Sequence, residues 1–437
     1  MSSVNKLIGS LFFIFFILNC SLDKKSGIWT QIEDIKVVEP SDIKELFKNE
    51  EASKDEVNSN VRIQVNSSPL ANSFINNLDN NNNRIKYNGN LQNISKYKFS
   101  SIKNFNQIEP EIVFDKTNVI FFDDKGSVLS FNSNSKLNWE KNFYEKKEKK
   151  SKPILSLASN EKYLIIIDNL ANYYALDIKT GNHLWSYRNS NPFNSQIKIF
   201  KDKFFAVDFE NILRCFSLKN GEELWNVKTE NAFIKSQKKL SVVILGDKVY
   251  FNNSIGDISA VDINTGNLIW QTPTQSSAIY EDAFFLKTSD IVIYENSLLF
   301  SNNRNEFFSL NANTGTLNWS QKINSNLRPT IIDNLIFTVT QEGLLVILEN
   351  NSGEIIRVTN IFDKIKKKKR SKIHPVGFIV GTKNIYLTTD NGLLILIDIL
   401  SGRTLSVLKI DNNKISRPFF HNNNLFIVKN DAIIKLN

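Results

Sequence analysis

Short apolar runs, broken at regular intervals by turn-forming residues, fill the chain from about residue 95 to its end. Residues 241–251 form one run, interrupted at Gly246 and Asp247, and residues 257–261 form the next after a polar stretch. Apolar runs of about four to eight residues bounded by Gly, Asn and Asp predict β-strands joined by tight turns. The same order recurs at 162–176, 203–218, 297–310, 334–348 and 384–397. The chain is therefore predicted to be a series of β-meanders.

Each unit ends on a common signature, in which a Gly precedes a Trp by four residues. Four copies keep both residues: Gly181 and Trp185, Gly221 and Trp225, Gly266 and Trp270, and Gly315 and Trp319. An earlier copy has Ser135 and Trp139, and two later copies keep Gly353 and Gly402 with Arg357 and Ser406 at the Trp position. We expect the Gly to adopt the positive φ of a tight turn. We expect the Trp to bury a large, stiff ring against the next unit, which makes both residues structural.

The spacing of these copies predicts the architecture. From position 135 through 181, 221, 266, 315, 353 and 402, the interval is 38 to 49 residues, which suits four strands per unit. Residues 416–436 supply three strands of another unit before the chain stops, and the segment near 94–102 is expected to complete it. The prediction is an all-β, eight-bladed β-propeller whose ring is closed by an N-terminal strand. Seven blades without closure would leave an exposed edge strand.

The N-terminus has the pattern of a secretory signal. Residues 7–18 are apolar, too short a run to span a bilayer comfortably, and they end just before Cys20. This arrangement resembles a bacterial lipobox and predicts a signal peptide at 1–19, a lipidated Cys20 with an Asn-rich tether at 20–90, and the propeller at 91–437. An ordinary signal peptide followed by a coincidental Cys is the alternative. Acyl chains on Cys20 would anchor the protein without a transmembrane helix.

Composition adds few candidates for chemistry. The net charge is +9 over 437 residues, a mild excess that does not favour nucleic acid as a partner. Two Lys-rich segments, 146–152 and 364–372, fall between blades one and two and between blades six and seven. Both belong to the same type of connection, so they should project from the same face, toward anionic lipid, an acidic partner or solvent alone. The two cysteines, Cys20 and Cys215, can neither build a disulfide framework nor supply a Cys-based zinc site.

The segments Asp-x-x-Thr-Gly-x-x-x-Trp at 177–185 and 262–270 resemble the tryptophan-docking repeats of pyrroloquinoline-quinone (PQQ) propellers. One branch of that superfamily contains quinoprotein alcohol and glucose dehydrogenases. Another contains the propeller lipoproteins of the outer-membrane β-barrel assembly machine, which this chain resembles in its signal, Cys20, tether and eight units. The second resemblance implies a non-catalytic scaffold on the periplasmic face of the outer membrane. A PQQ-dependent dehydrogenase and a scaffold for another envelope partner remain alternatives.

The residues that chemistry would need are not grouped in the sequence. The resemblance to dehydrogenases implies adjacent cysteines beside the quinone and a calcium ion, but this chain has no Cys-Cys pair. His183, His374 and His421 are scattered, and the acidic pair Asp123-Asp124 has no evident converging partner. We therefore expect no catalytic, cofactor-binding or metal-binding residues, and no cofactor.

The resemblance to the assembly lipoproteins also implies a docking site for the periplasmic repeat domains of the barrel-inserting subunit. In that family the contacts come from loops after the third and fourth blades. The matching segments hold Phe233, Ile234 and Lys235 after Trp225, and Glu281 with Asp282 after Trp270. Lys235 stands where the family has Arg, which weakens any bidentate contact. Ordinary core or loop packing of these residues is the alternative.

Overall fold

The computed structural model describes residues 63–69, 84–231, 235–275 and 284–437. These residues form eight antiparallel sheets of four strands each, and every sheet is one blade. Within a blade the strands pair in sequence order and are called A, B, C and D here. The A strands of neighbouring blades contact one another, so they line the centre of the ring and the D strands lie at its rim.

The strand bounds of the first four blades follow chain order. Blade 1 contains β2 (Val113–Asp115), β3 (Asn118–Phe122), β4 (Val128–Phe131) and β5 (Leu137–Lys141); blade 2 contains β6 (Leu155–Ser159), β7 (Tyr163–Asp168), β8 (Asn172–Asp177) and β9 (His183–Arg188). Blade 3 contains β10 (Lys198–Phe200), β11 (Lys203–Val207), β12 (Ile212–Ser217) and β13 (Glu223–Lys228); blade 4 contains β14 (Val242–Leu245), β15 (Lys248–Asn252), β16 (Ile258–Asp262) and β17 (Leu268–Thr272).

The remaining blades follow the same plan until the last. Blade 5 contains β18 (Val292–Tyr294), β19 (Ser297–Asn302), β20 (Glu306–Asn311) and β21 (Leu317–Gln321); blade 6 contains β22 (Thr330–Ile332), β23 (Leu335–Val339), β24 (Leu344–Glu349) and β25 (Ile355–Asn360). Blade 7 contains β26 (Pro375–Val380), β27 (Asn384–Thr389), β28 (Leu393–Asp398) and β29 (Thr404–Lys409); blade 8 contains β30 (Phe419–His421), β31 (Asn424–Lys429), β32 (Ala432–Leu436) and, as its D strand, β1 (Asn93–Lys98).

The ring closes as the sequence predicts, with β1 of the N-terminal segment paired antiparallel to β32. Tyr97 of β1 is buried and meets the ring of Phe131 in blade 1 edge-on at a centroid distance of 5.8 Å. Blade 8 therefore contacts blade 1 through a Tyr, although the other junctions carry a Trp or its substitute at the D strand. The eight-bladed prediction is confirmed, and the seven-bladed alternative is wrong.

Each signature Trp lies against the turn Gly of the following blade. The pairs are Trp139 with Gly181, Trp185 with Gly221, Trp225 with Gly266, Trp270 with Gly315, and Trp319 with Gly353. In three pairs the indole Nε1 also donates to a backbone carbonyl three residues before that Gly: Leu218 at 3.2 Å, Ala312 at 3.1 Å and Asn350 at 2.8 Å. Trp225 is different, because its Nε1 has no hydrogen-bond partner among the described residues. The signature thus joins each of blades 1 to 5 to the blade that follows it.

Two departures from the signature keep its geometry. Ser135, at the Gly position of blade 1, adopts a φ of 61°, which is left-handed like that of the glycines. Arg357, at the Trp position of blade 6, donates from Nη1 to the carbonyl of Leu400 in the C–D turn of blade 7. A guanidinium therefore supplies the hydrogen bond that an indole supplies elsewhere. Gly402 of that turn lies against Thr359 instead of a Trp ring.

The antiparallel order places two kinds of connection on opposite faces. The connections from each D strand to the next A strand lie on one face, which we call the D–A face, together with the B–C turns. The A–B and C–D turns lie on the other face. Two short helices, α1 (Lys146–Lys150) and α2 (Lys367–Arg370), belong to the D–A connections after β5 and β25, and a 3-10 turn at Phe105–Gln107 precedes β2.

Part of the segment assigned to the tether contacts the propeller. The backbone N–H groups of Asn66 and Ser67 donate to Asp333 Oδ2 at 2.7 and 3.3 Å, in the A–B turn of blade 6. Arg84 Nε donates to the carbonyl of Thr382 at 3.1 Å, in the A–B turn of blade 7. Residues 63–69 and 84–90 therefore lie on the face opposite the D–A face. Helices in the described part of the chain are all too short or too polar to cross a membrane.

Candidate interaction face

The D–A face carries both Lys-rich segments. Helix α1 presents four lysines with no buried residue, and α2 presents three lysines and Arg370. Both helices are exposed and belong to connections of the same kind, as their sequence positions predict. Arg370 turns inward to donate to the carbonyl of Ile365 at 2.8 Å, which stabilises the connection around α2. The two segments add positive charge to one face of the disc.

The segments singled out for partner contact also belong to D–A connections, but only Lys235 is among the described residues; Phe233, Ile234, Glu281 and Asp282 lie outside them. Lys235 Nζ donates to Glu210 Oε1 at 2.7 Å and to the carbonyl of Phe209 at 3.0 Å. Its side chain is 15% exposed. The ammonium is thus held by the B–C turn of blade 3, and a partner carboxylate would have to compete with Glu210 for it.

Two exposed aromatic residues follow the acidic pair after one intervening residue, Ala283. Phe284 and Phe285, on the connection from β17 to β18, are 53% and 69% exposed. Their rings meet edge-on at a centroid distance of 5.4 Å. Large exposed aromatic side chains in adjacent positions are typical of protein-binding surfaces. Sequence reasoning missed this pair, although the Phe-Phe doublet beside Glu281 and Asp282 was visible as a signal.

Charged residues from six blades meet where the A strands begin, close to the ring axis. This axial cluster consists of Glu109, Glu111, Lys198, Lys238, Lys239, Asp290, Arg328 and Arg417. Lys239 Nζ lies 3.0 Å and Arg417 Nη2 lies 3.7 Å from the carboxylate of Glu111. Lys238 forms an ion pair with Glu109. Sequence reasoning missed the cluster because its members are separated by as much as 308 residues, from Glu109 to Arg417.

The electrostatics of the axial cluster show strong coupling between blades. Burial, and then the charge of Arg328, lowers the pKa of Lys198 to about 7. Burial would raise the pKa of Asp290, but Lys238, Arg328 and Arg417 outweigh it and lower that pKa to about 2. The pKa of Glu111 is lowered in the same way by Lys239, Arg417 and Lys198, against the effect of burial. Cations dominate the potential at this point.

The scattered histidines stay apart in the fold. His183 begins β9 near the ring of Phe143, and His374 Nδ1 lies 2.8 Å from Asp390 Oδ2. His421 is partly buried at the end of β30, and its ring stacks on Phe114 at a centroid distance of 4.4 Å. Burial lowers the pKa of His421. These three side chains therefore hold separate structural positions.

The other candidate groups are also used by the fold. Asp123 accepts the backbone N–H groups of Lys125 and Ser127 at 2.9 and 2.8 Å, which closes the B–C turn of blade 1. Burial raises the pKa of the Cys215 thiol to about 12, so this thiol is unreactive near neutral pH. Across the described residues, no group of three or more His, Cys, Asp or Glu side chains could hold a metal ion.

Eight four-stranded blades, with a Trp ring over a turn glycine at five of their junctions, define a propeller of the PQQ-repeat class. The family model described as outer membrane protein assembly factor BamB matches residues 124–359. Because this match spans more than half of the chain, the protein belongs to that family. No curated protein matches the sequence.

Solved structures with the same fold include an assembly factor, a dehydrogenase and a designed protein. BamB from Moraxella catarrhalis is 14% identical with a TM-score of 0.63, covering 79% of this chain and 100% of that one. Quinohemoprotein alcohol dehydrogenase from Comamonas testosteroni is 9% identical with a TM-score of 0.62, covering 81% and 78%. The computationally designed Ika8 protein is 11% identical with a TM-score of 0.58, covering 78% and 99%. At these identities the likeness concerns the fold alone.

Proposed function

We propose that this protein is a non-catalytic scaffold in the assembly of outer-membrane β-barrel proteins. Its D–A face docks the barrel-inserting subunit, and a lipid on Cys20 holds it at the periplasmic face of the outer membrane. Membership of the BamB family supports the assignment to this process. The observation that supports the docking site is the exposure of Phe284 and Phe285 on the D–A face. The dehydrogenase alternative is supported by likeness of fold only.

The aromatic pair fits the usual anatomy of a binding hot spot. Large aromatic anchors supply most of the binding energy when charged residues around them exclude water. Lys287 follows the pair by two residues, and Lys235, which pairs with Glu210 of a B–C turn, lies on the D–A connection from the preceding blade. The apolar anchor and the charged groups are thus presented by successive D–A connections.

Replacing Phe284 and Phe285 by Ala is expected to reduce recovery of the barrel-inserting subunit in pull-downs from detergent-solubilised membranes. Loss of two aromatic anchors should weaken binding by about 2 kcal/mol or more, which is over tenfold. The matched control is Leu245→Ala, since Leu245 is an exposed apolar residue at the end of the A strand β14, beside the A–B turn on the opposite face. Equal recovery of the barrel-inserting subunit with both variants, or recovery of a different envelope protein alone, would contradict the proposal.

The same pull-down separates two roles of Lys235. Lys235→Gln removes the ammonium, and Glu210→Gln keeps the ammonium but removes its carboxylate partner. If Lys235 contacts the barrel-inserting subunit, Lys235→Gln weakens recovery, whereas Glu210→Gln preserves or increases it. If the ion pair serves only to shape the loop, the two variants behave alike.

Metabolic labelling with palmitate tests the anchor. The wild-type protein should incorporate label and sediment with outer membranes, and Cys20→Ala should abolish both. Cys215 serves as the internal control, because it is buried and its thiol is unreactive at neutral pH. Label that persists in Cys20→Ala, or that is absent from the wild type, would contradict lipidation at Cys20.

A further inference from the structure

We propose that Asn303 is a positioning residue of the docking site, because its side-chain amide holds the connection that presents Phe284 and Phe285 to the barrel-inserting subunit. Asn303 belongs to the B–C turn of blade 5 and acts through the backbone of that connection. The inference rests on the proposed docking function, but the positioning of the aromatic pair can be measured on the protein alone.

The connection that carries the aromatic pair is joined to blade 5 at its base. Thr288 forms an antiparallel bridge with Asn302, the last residue of β19. The backbone N–H of Asn303 donates to the carbonyl of Lys287 at 3.0 Å. Residues 287–288 thus continue the hydrogen-bonded pairing of the sheet beyond its regular strands. The segment that follows the two rings therefore has a fixed place on the blade.

The side chain of Asn303 extends this pairing toward the aromatic residues. Its Oδ1 accepts the backbone N–H of Lys287 at 2.8 Å, and its Nδ2 donates to the carbonyl of Phe285 at 3.0 Å. A primary amide offers a donor and an acceptor, as a peptide group does. Asn303 therefore holds the backbone on both sides of Leu286, directly after the aromatic pair.

Leu286 is held from the preceding connection as well. Its carbonyl accepts a hydrogen bond from Ser236 Oγ at 2.6 Å, and Leu286 is 1% exposed. A Cβ added at Gly256 would lie 3.2 Å from Leu286 Cδ2, so this side chain packs against the B–C turn of blade 4. Ser236 directly follows Lys235. The D–A connections after blades 3 and 4 are therefore joined at Leu286 into one surface.

Comparison between blades separates the two contacts of the Asn303 amide. In four blades, the residue two positions before the left-handed residue of the B–C turn accepts a backbone N–H from a D–A connection. These contacts are Asp124 with Lys103 at 3.0 Å, Asn169 with Ile154 at 2.8 Å, Asn303 with Lys287 at 2.8 Å, and Asp390 with His374 at 2.9 Å. An Asp suffices for this contact, but a carboxylate cannot donate to the carbonyl of Phe285.

Holding the connection favours binding because the aromatic pair is ordered before the partner arrives. Phe284 and Phe285 are exposed in the free protein, so burial of their own rings does not fix them. Ordering of loops and side chains at an interface reduces affinity unless the free protein already has the bound arrangement. The hydrogen bond from Asn303 to Phe285 supplies part of that order.

Limited proteolysis with chymotrypsin, which cleaves after aromatic residues, tests the positioning on the full-length protein in detergent. Asn303→Asp should be cut after Phe284 or Phe285 about tenfold faster than the wild type, since cleavage requires local opening of the connection. Asn169→Asp makes the same charge change at the equivalent position of blade 2 and should be cut there at the wild-type rate. Mass spectrometry identifies the cleavage site, and thermal unfolding verifies that both variants are folded.

Affinity for the purified full-length barrel-inserting subunit in detergent tests the role in docking. Asn303→Asp should weaken binding about tenfold through lost order of the aromatic pair, and Asn169→Asp should leave binding unchanged. In a protein that already carries Phe284→Ala and Phe285→Ala, Asn303→Asp should weaken binding by less than about twofold, because its effect depends on the two rings.

The outcomes distinguish the positioning role from the docking function. No binding of the subunit by the wild-type protein would contradict the docking function itself. Wild-type binding with equal affinities for Asn303→Asp and Asn169→Asp would overturn the role of Asn303 alone. Equal cleavage rates for these two variants, or a full effect of Asn303→Asp in the absence of the two rings, would also overturn that role.

Discussion

Arg214→Met should lower the free energy of unfolding by about 3–5 kcal/mol, the usual effect of breaking a buried ion pair from one side. Arg214 Nε and Nη2 both donate to Asp208 Oδ2 at 2.9 Å, and Nη1 donates to Glu223 Oε2 at 2.7 Å. The Asp208 side chain is 0% exposed and that of Arg214 is 9% exposed. Methionine fills much of the space but leaves the Asp208 carboxylate buried without its cation.

Loss of the Arg214 guanidinium should also weaken the contact between blades 2 and 3. Arg214 Nη2 donates to Ser190 Oγ at 3.3 Å, and Ser190 lies just after the D strand of blade 2. Asp208 also accepts the backbone N–H groups of Glu210 and Ile212 in the B–C turn of blade 3. The guanidinium thus connects a turn, a D strand and a neighbouring blade, so its removal affects each of them.

Equilibrium unfolding in urea measures the effect, with Arg188→Met as the matched control. Arg188 pairs with Glu148 at 3.7 Å, but its side chain is 68% exposed, and exposed pairs contribute about 1 kcal/mol or less. A large urea-midpoint shift for Arg214→Met and a small one for Arg188→Met are expected. Similar shifts for the two variants would show that burial does not govern the contribution of the Arg214 network.

The repeat made the fold predictable from the sequence. The Gly-to-Trp interval located the C–D turns, and the apolar runs before them located the B and C strands of most blades. The incomplete last unit correctly predicted that an N-terminal strand closes the ring. These inferences succeed because a propeller repeats one local pattern, and each copy contacts mainly its neighbours.

Features formed by residues from distant units were not predictable in this way. The sequence showed Arg357 only as a missing Trp, but its guanidinium replaces the indole hydrogen bond to the next blade. The attachment of residues 63–69 to the A–B turn at Asp333 depends on a contact 267 residues away along the chain. The axial cluster likewise exists only after the ring closes. Sequence pattern reports local periodicity, whereas these features depend on the three-dimensional arrangement of the blades.

The sequence predicted which connection between blades contains each candidate site residue, but not its contacts or its exposure. Family resemblance directed attention to the connections after blades 3 and 4, and both belong to the D–A face. It did not reveal that Lys235 is held by Glu210 or that Phe284 and Phe285 are exposed. Exposure and ion pairing depend on neighbouring turns, which a single segment of sequence does not specify.

Gly353→Ala should destabilise the protein far more than Gly246→Ala, although both glycines have left-handed backbone conformations. Their φ angles are 75° and 62°, so each substitution places a Cβ in a conformation that costs about 1–2 kcal/mol for an L-residue. A Cβ at Gly246 would have nothing within 4 Å, whereas one at Gly353 would lie 2.5 Å from the ring of Trp319. The difference between the variants therefore isolates the contact between blades 5 and 6.

The Trp319 ring has little freedom to move away. Its Nε1 donates to the carbonyl of Asn350 at 2.8 Å, and its ring stacks on Phe307 at a centroid distance of 5.9 Å and an interplanar angle of 3°. Moving the ring would weaken both contacts and open the junction. We therefore expect Gly353→Ala to lower the free energy of unfolding in urea by about 2 kcal/mol or more beyond the loss caused by Gly246→Ala. Trp fluorescence and near-UV circular dichroism should change only in Gly353→Ala. Equal destabilisation by the two variants would show that the turn glycine is required for its backbone conformation alone, and that close approach of the Trp ring does not hold the blades together.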